Sequence, residues 1–438
     1  MNNMNYNEKK KKEQIGKLLL FVVLIIMCTA CGKKETGRTG NQERLVIWAW
    51  DETFNIYAAK VAADKFQKSR PGIEIDVVFM TSEDIISKLD TGLVSGDYTG
   101  LPDIVLIEDY RIQGYLKEYR EEFLPVSDIA HAEDFAPYKT SVNQMEGNLY
   151  GIPFDSGVAA LFYRADLIEK AGYTKEDMQN LTWERYIEIG QEVMKKTGKY
   201  MLTQNPNDLG EIRMMLQSAA SWYTDEEGNV DIKDNQALKD AITIYRKIFE
   251  TGISKQILDW DQYVGALQEE EVVSVVTGCW FSSSIMEAAE QNGKWAVAAF
   301  PRMEANQDSM NASSIGGGAW YVLKSTHNEK LAKEFLKETF ASDVELMNLL
   351  AEEINLVSTL KEAKSAENYK KGVDFFGGQA IGSDFMNWQN QVPMVNYGKD
   401  TYAIEEILTE AVQLILEGQD MESVLQEYHR KINETLTQ

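Results

Sequence analysis

The segment from residue 45 to residue 107 constrains the fold most. Leu45 to Trp50 is an apolar run rich in β-formers, the mark of a buried strand. Ala59, Ala62, Ala63 and Phe66 follow at i, i+3, i+4 and i+7, one face of a helix that Pro71 and Gly72 end. Ile73 to Phe79 reads as a second strand. A helix from about Glu83 comes next, then Pro102 and a third strand from Asp103 to Ile107. Strand, helix, strand, helix, strand is the βαβ alternation of a mostly parallel sheet covered by helices. Such sheets bind ligands outside the carboxyl ends of their strands. That rule selects Trp50, Asp51 and Glu52 after the first strand, and Glu108 and Asp109 after the third.

The chain has 438 residues, more than one core comfortably organises, so two lobes are expected. From about Thr182 it becomes mainly helical. Thr182 is placed as an N-cap before Trp183, Tyr186 and Ile187, although Arg185 stands where a capping box needs Glu or Gln. Leu331, Ala332, Phe335 and Leu336 mark another amphipathic helix. A third runs through Ile404, Ile407, Leu408, Ala411, Val412 and Ile415, stopped by Gly418.

The first thirty residues read as a leader. Lys9 to Lys12 and Lys17 make a positive stretch, followed by an apolar run of about ten residues from Leu18 to Met27. That length suits a signal segment and falls short of the ~20 residues a spanning helix needs. Thr29, Ala30, Cys31 and Gly32 then resemble the bacterial lipobox, with Cys28 in place of its usual leucine. The resemblance implies that Cys31 is lipidated and becomes the mature N-terminus. It also implies two acyl chains, enough for a stable anchor where one is marginal. Lys33 to Glu43 contains no apolar residue and reads as a flexible tether of about 20 Å r.m.s. span.

Removing the leader's five Lys and two Glu from 44 basic and 69 acidic residues leaves 39 and 67, a net charge near −28. Nucleic acid is an unsuitable partner for such a chain, because phosphate contacts need a basic patch. His131, His327 and His429 match no metal-ligand spacing. There is no Walker loop, and Gly316, Gly317 and Gly318 lack dinucleotide-fingerprint spacing. Neither metal nor cofactor is expected, and no catalytic residue is assigned.

The segment from Gly151 to Lys170 resembles the signature of the family 1 extracellular solute-binding proteins, the group that includes maltose-binding protein. Pro153, Phe154, Asp155, Leu161, Phe162, Tyr163, Ile168 and Lys170 carry the match. Arg164 departs from it, since the pattern asks for Asn or Asp there. Gly278, Cys279, Trp280 and Phe281 before a helix, Ile315 to Lys324 with Trp320, and Phe375 to Gln379 extend the resemblance over nearly the whole mature chain. It implies a two-lobed, type II periplasmic-binding-protein-like α/β fold, each lobe a mixed, mostly parallel sheet flanked by helices. The crossings are expected near Pro153 to Gly157, Asn311 to Ser314 and Leu350 to Val357. The expected division is 1–30 signal peptide, 31–43 lipidated N-terminus and tether, 44–154 plus 313–352 N-terminal lobe, and 155–312 plus 353–438 C-terminal lobe.

The resemblance further implies capture of a carbohydrate, an oligosaccharide, between the lobes. The sugar would pass to the membrane permease of an ABC transporter, from a monomer anchored outside the cell membrane of a Gram-positive bacterium. A sugar presents an apolar C–H face for aromatic rings and a rim of hydroxyls for carboxylates and amides. Trp50, Trp280 and Trp320 are the candidate platforms, each with a core role as the alternative, and Trp388 is a weaker one. Asp155 is the leading hydroxyl acceptor, with hinge stabilisation as its alternative. Asp51, Glu52, Glu108 and Asp109 compete with a helix-start role. Gly318 and Gln379 complete the set. The same fold could instead take a polyamine, a peptide or a metal chelate, or serve a receptor. A lipid-anchored glycoside hydrolase using paired carboxylates is the enzymatic rival.

Overall fold

A computed structural model of the chain describes residues 43–437. The leader, Cys31 and tether residues 32–42 lie outside the described residues. β1 (Glu43–Ala49) begins one residue inside the stretch read as tether. Helix Asn55–Lys68 buries Ala58, Ala59, Ala62, Ala63 and Phe66, the face that the spacing predicts. β2 (Ile73–Phe79) follows. Thr81 then caps helix Ser82–Ser95 by accepting from Asp84 N, with Glu83 and Asp84 in the first turn, where the helix dipole favours negative charge. β3 (Ile104–Glu108) leads straight into helix Asp109–Tyr119.

The remaining strands are β4 (Gln144–Met145), β5 (Asn148–Leu149), β6 (Gly151–Pro153), β7 (Ala159–Arg164), β8 (Leu202–Gln204), β9 (Ser254–Gln256), β10 (Ser274–Gly278), β11 (Trp295–Ala299) and β12 (Gly318–Val322). The first lobe's sheet has the order β2-β1-β3-β12-β6. β1 and β3 run parallel, while β12 is antiparallel to both β3 and β6. Alternation along β1 sends Leu45, Ile47 and Ala49 beneath helix Asn55–Lys68. It sends Trp48 to the opposite face with Ile85 and Leu89. Trp50 lies just past the strand.

The second lobe's sheet, β10-β7-β11, departs from the mostly parallel expectation. β7 pairs antiparallel with both neighbours. β7 is buried at every position, which explains its unbroken apolar run. Arg164 at its end is buried. It forms a bidentate pair with Asp166 (2.8 and 2.8 Å) and reaches Glu270 at 2.8 Å. An Asn or Asp, as the family pattern asks, could not span both carboxylates.

The chain crosses between the lobes three times, and the crossings lie side by side. Residues 154–158 link β6 to β7, and residues 300–317 link β11 to β12. The third pass follows helix Val344–Ile354. Ser156 N donates to Val357 O (3.0 Å), Ala159 N to Ser313 O (2.8 Å) and Ile315 N to Gly157 O (2.8 Å). The lobes are therefore joined by a narrow hydrogen-bonded ribbon.

Candidate functional site

An interlobe cavity of about 480 Å³ opens above this ribbon. The first lobe supplies Trp50, Asp51, Thr53, Phe54, Asn55 and Glu108. The second supplies Trp260, Trp280, Ser283, Ser284 and Glu287. Asp155, Gly316 and Gly317 form its floor, and Glu353 and Ile354 close one side. The sequence-selected Trp50, Asp51, Glu108, Asp155 and Trp280 thus converge from elements far apart in the chain.

Asp51 turns the chain out of β1. Its φ of 59° is unusual for a residue with a side chain. One carboxylate oxygen holds the turn, accepting from Thr53 N (3.0 Å), Thr53 Oγ1 (2.9 Å) and Phe54 N (3.1 Å). Its other oxygen has no hydrogen-bond partner among the described residues. Glu108, at the carboxyl end of β3, accepts from Tyr402 Oη through one oxygen.

Asp155 lies on the first crossing. Its Oδ1 is buried without a hydrogen-bond partner. Burial pushes its carboxyl up to about 6; Lys139 opposes that rise, and Asp109 adds to it. Beside it, Lys139 Nζ pairs with Asp109 in a fully enclosed ion pair. Gly317 covers this cluster at φ +90°, where a Cβ would stand 2.6 Å from Lys139 Nζ and 3.1 Å from Asp155 Oδ1. Only glycine fits there.

The aromatic wall belongs to the second lobe. Asp259 caps helix Trp260–Gln268 through Gln262 N (2.8 Å), which sets Trp260 at the helix start, 54% exposed. Trp260 and Trp280 lie 30° from parallel with centroids 6.2 Å apart, and Tyr263 stacks on Trp260 at 5.3 Å. Buried Phe281 meets both tryptophans edge-on. Trp280 Nε1 donates to Ile315 O (3.2 Å), and a Cβ at Gly278 would overlap its indole. A second cavity, of about 340 Å³, shares Trp260 and Trp280 with the first.

Six selected residues stand elsewhere. Trp320 is 0% exposed, because it lies mid-strand in β12 facing the core. It stacks on Phe340 at 5.2 Å and contacts Phe154. Gln379 grips β11 instead of a ligand, its Oε1 accepting from Val297 N and its Nε2 donating to Val297 O and Asp384. Asp109 is consumed by Lys139 beneath the floor. Gly318 is a buried strand residue opposite Glu108 in the β3–β12 register. Glu52 is exposed on the turn and does not line the cavity. Trp388 packs on Phe385, away from the cavity.

Sequence reasoning missed Trp260, Phe54, Asn55, Thr53, Glu287 and Glu353, together with the two serines. Trp260 carries a usable signal, since Asp259 with Gln262 three residues on is a helix-start pattern. Phe54 and Asn55 directly follow the selected turn. Ser283 and Ser284 lie in no pattern that sequence alone distinguishes.

Carboxylates in a lining without Lys or Arg, flat aromatic rings and hydroxyls suit a polar ligand with an apolar face. Comparison with known proteins agrees. The model of the bacterial extracellular solute-binding proteins matches residues 61–377. A lactose-binding protein of Rhizobium radiobacter is 39% identical over 381 residues, 87% of this chain and 90% of that protein. An arabinooligosaccharide-binding protein of Bacillus subtilis is 27% identical over 74% of this chain and 76% of its own length. Among solved structures, an extracellular solute-binding protein of family 1 superposes with a TM-score of 0.75 at 20% identity, covering 90% of this chain and 99% of that one. The galacto-N-biose/lacto-N-biose I-binding protein of Bifidobacterium longum gives 0.73 at 21%, covering 91% and 98%. The two-lobed architecture and the sequence relationship together place this chain in the bacterial extracellular solute-binding protein family, whose members bind solutes and are not enzymes.

Proposed function

We propose that this protein is anchored to the outer face of the cell membrane through acylated Cys31, captures a neutral oligosaccharide between its lobes and delivers it to an ABC transporter permease. The observation that carries the reading is the interlobe cavity, where Trp50, Trp280 and Trp260 meet Asp51, Glu108 and Asp155. Rings cover the C–H faces of the sugar, and the carboxylates accept from its hydroxyls. The 39% identity to a lactose-binding protein makes β-galactosides the first ligands to test.

The lobes correspond in this reading to 44–154 with 313–352 and to 155–312 with 353–438. Contacts to a ligand from both lobes favour the closed arrangement, which a permease then recognises. The protein acts as a monomer tethered by residues 33–42. Calorimetric titration with lactose, paired with X-ray scattering, tests capture. Saturable binding with compaction is the expected outcome, and absence of binding across a neutral saccharide panel overturns it. The cavity wall also carries Glu287 and Glu353 and no Lys or Arg, which favours a polyamine as the second reading. Binding of spermidine with no saccharide response would establish that reading instead.

A further inference from the structure

The second cavity has the composition of a sugar site and adjoins the first. β8 and β10 deliver Thr203 and Thr277 to it near their carboxyl ends, and Asn205 follows β8 directly. The starts of helices Gly210–Ser218 and Trp260–Gln268 bring in Glu211 and Asp259. Tyr263, Met214, Ile257 and Ile315 supply the apolar wall. At about 340 Å³ it falls within the roughly 300–1,000 Å³ typical of small-ligand sites. Trp260 and Trp280 border both cavities, so a chain of sugar rings passing these indoles can occupy the two together.

We propose that this second cavity is a further saccharide subsite, so that the preferred ligand is a neutral oligosaccharide of three or more units extending past the Trp260–Trp280 pair to Glu211. The inference rests on the carbohydrate reading above and adds length and charge selectivity to it. Among the described residues, no other residue hydrogen-bonds the Glu211 carboxyl, which meets only its own backbone N–H. Burial pushes its carboxyl up to about 8, with Asp208 adding to the rise, so it is largely protonated at neutral pH and can donate as well as accept. Asp208 is held by Gly210 N (2.9 Å) and Arg213 Nη2 (3.2 Å), which fixes one carboxylate at the rim. Neither cavity has Lys or Arg in its lining, so a uronate or sialyl group would enter with no counter-charge.

The test is titration of the mature protein with lactose, 4′-galactosyllactose and 3′-sialyllactose, repeated with Glu211→Leu and Glu211→Gln. The neutral trisaccharide is expected to bind about tenfold more tightly than lactose, and the sialylated one at least about tenfold more weakly than the neutral one. Glu211→Leu should remove most of the trisaccharide's advantage while lactose binding stays within about twofold, which also reports that the variant is folded. Glu211→Gln, which keeps an acceptor and a donor, should lose less. Equal affinity for lactose and the neutral trisaccharide overturns the subsite, as does a trisaccharide advantage that survives Glu211→Leu. Equal binding of the sialylated sugar overturns the charge selectivity. If no saccharide binds, the carbohydrate reading itself fails and this inference falls with it.

Discussion

Trp260 and Trp280 lie 6.2 Å apart and 30° from parallel, and each borders two cavities at once. Trp260 is the more exposed of the pair and contributes little to the core. Trp260→Ala should therefore weaken saccharide binding by about tenfold to a hundredfold, the effect of losing one stacking surface. The melting temperature should stay close to that of the wild type. Calorimetric titration and thermal melts read the two effects separately.

Trp320 gives the opposite signature. Enclosed by Phe154 and Phe340, it is a packing residue, and Trp320→Ala should cost about 3–5 kcal/mol of stability. Urea unfolding measures this. Unchanged stability with lost sugar binding would return Trp320 to the site.

Asp155 makes stability depend on pH. Burial pushes its folded carboxyl up to about 6, above the ordinary aspartate range, so the folded state favours the protonated form. Its contribution is fully present below about pH 4 and is lost as pH rises through 6, by about 3 kcal/mol in all. Asp155→Asn should flatten the stability profile of the ligand-free protein across that window. A profile unchanged by the substitution would contradict the shift.

The Asp109–Lys139 pair predicts non-additivity. Lys139→Met leaves a buried carboxylate without its counter-charge and should cost about 3–5 kcal/mol. Adding Asp109→Asn should restore part of that loss, and a double-mutant cycle in denaturant measures the coupling. Full additivity would show the pair to be uncoupled.

Cys31→Ala tests the anchor. The wild-type chain should partition with membranes and incorporate labelled palmitate, and the variant should do neither while keeping its sugar affinity. Retention of the variant on membranes would point to another means of attachment.

Much of the first lobe was legible, because β1 and β3 are apolar runs and its helices repeat at i, i+3 and i+4. Thr182, read as a cap, does accept from Arg185 N at 3.1 Å. The antiparallel sheet of the second lobe was not legible, since buried strands of either direction read as the same apolar run. The site divided in a similar way. Trp50, Asp51 and Glu108 follow from strand ends, a local rule. Trp320 stood between a platform and a core role, and the structure gives it the core role: the strand begins at Gly318 and turns the indole inward. Gln379 failed because only the fold shows that Val297 is its partner. Glu353 and Glu287 reach the cavity from helices whose approach depends on lobe packing, which no local pattern encodes.

The three-pass ribbon has a consequence for biogenesis. β12 lies between β3 and β6 in the first sheet, yet it is synthesised more than 150 residues after both. Until Val322 has emerged, β3 and β6 face a missing neighbour, and the first lobe cannot close however long it waits. Such distant pairing slows folding. Under the membrane-anchored function proposed above, late completion would keep the nascent chain fit for translocation and reserve assembly for the far side.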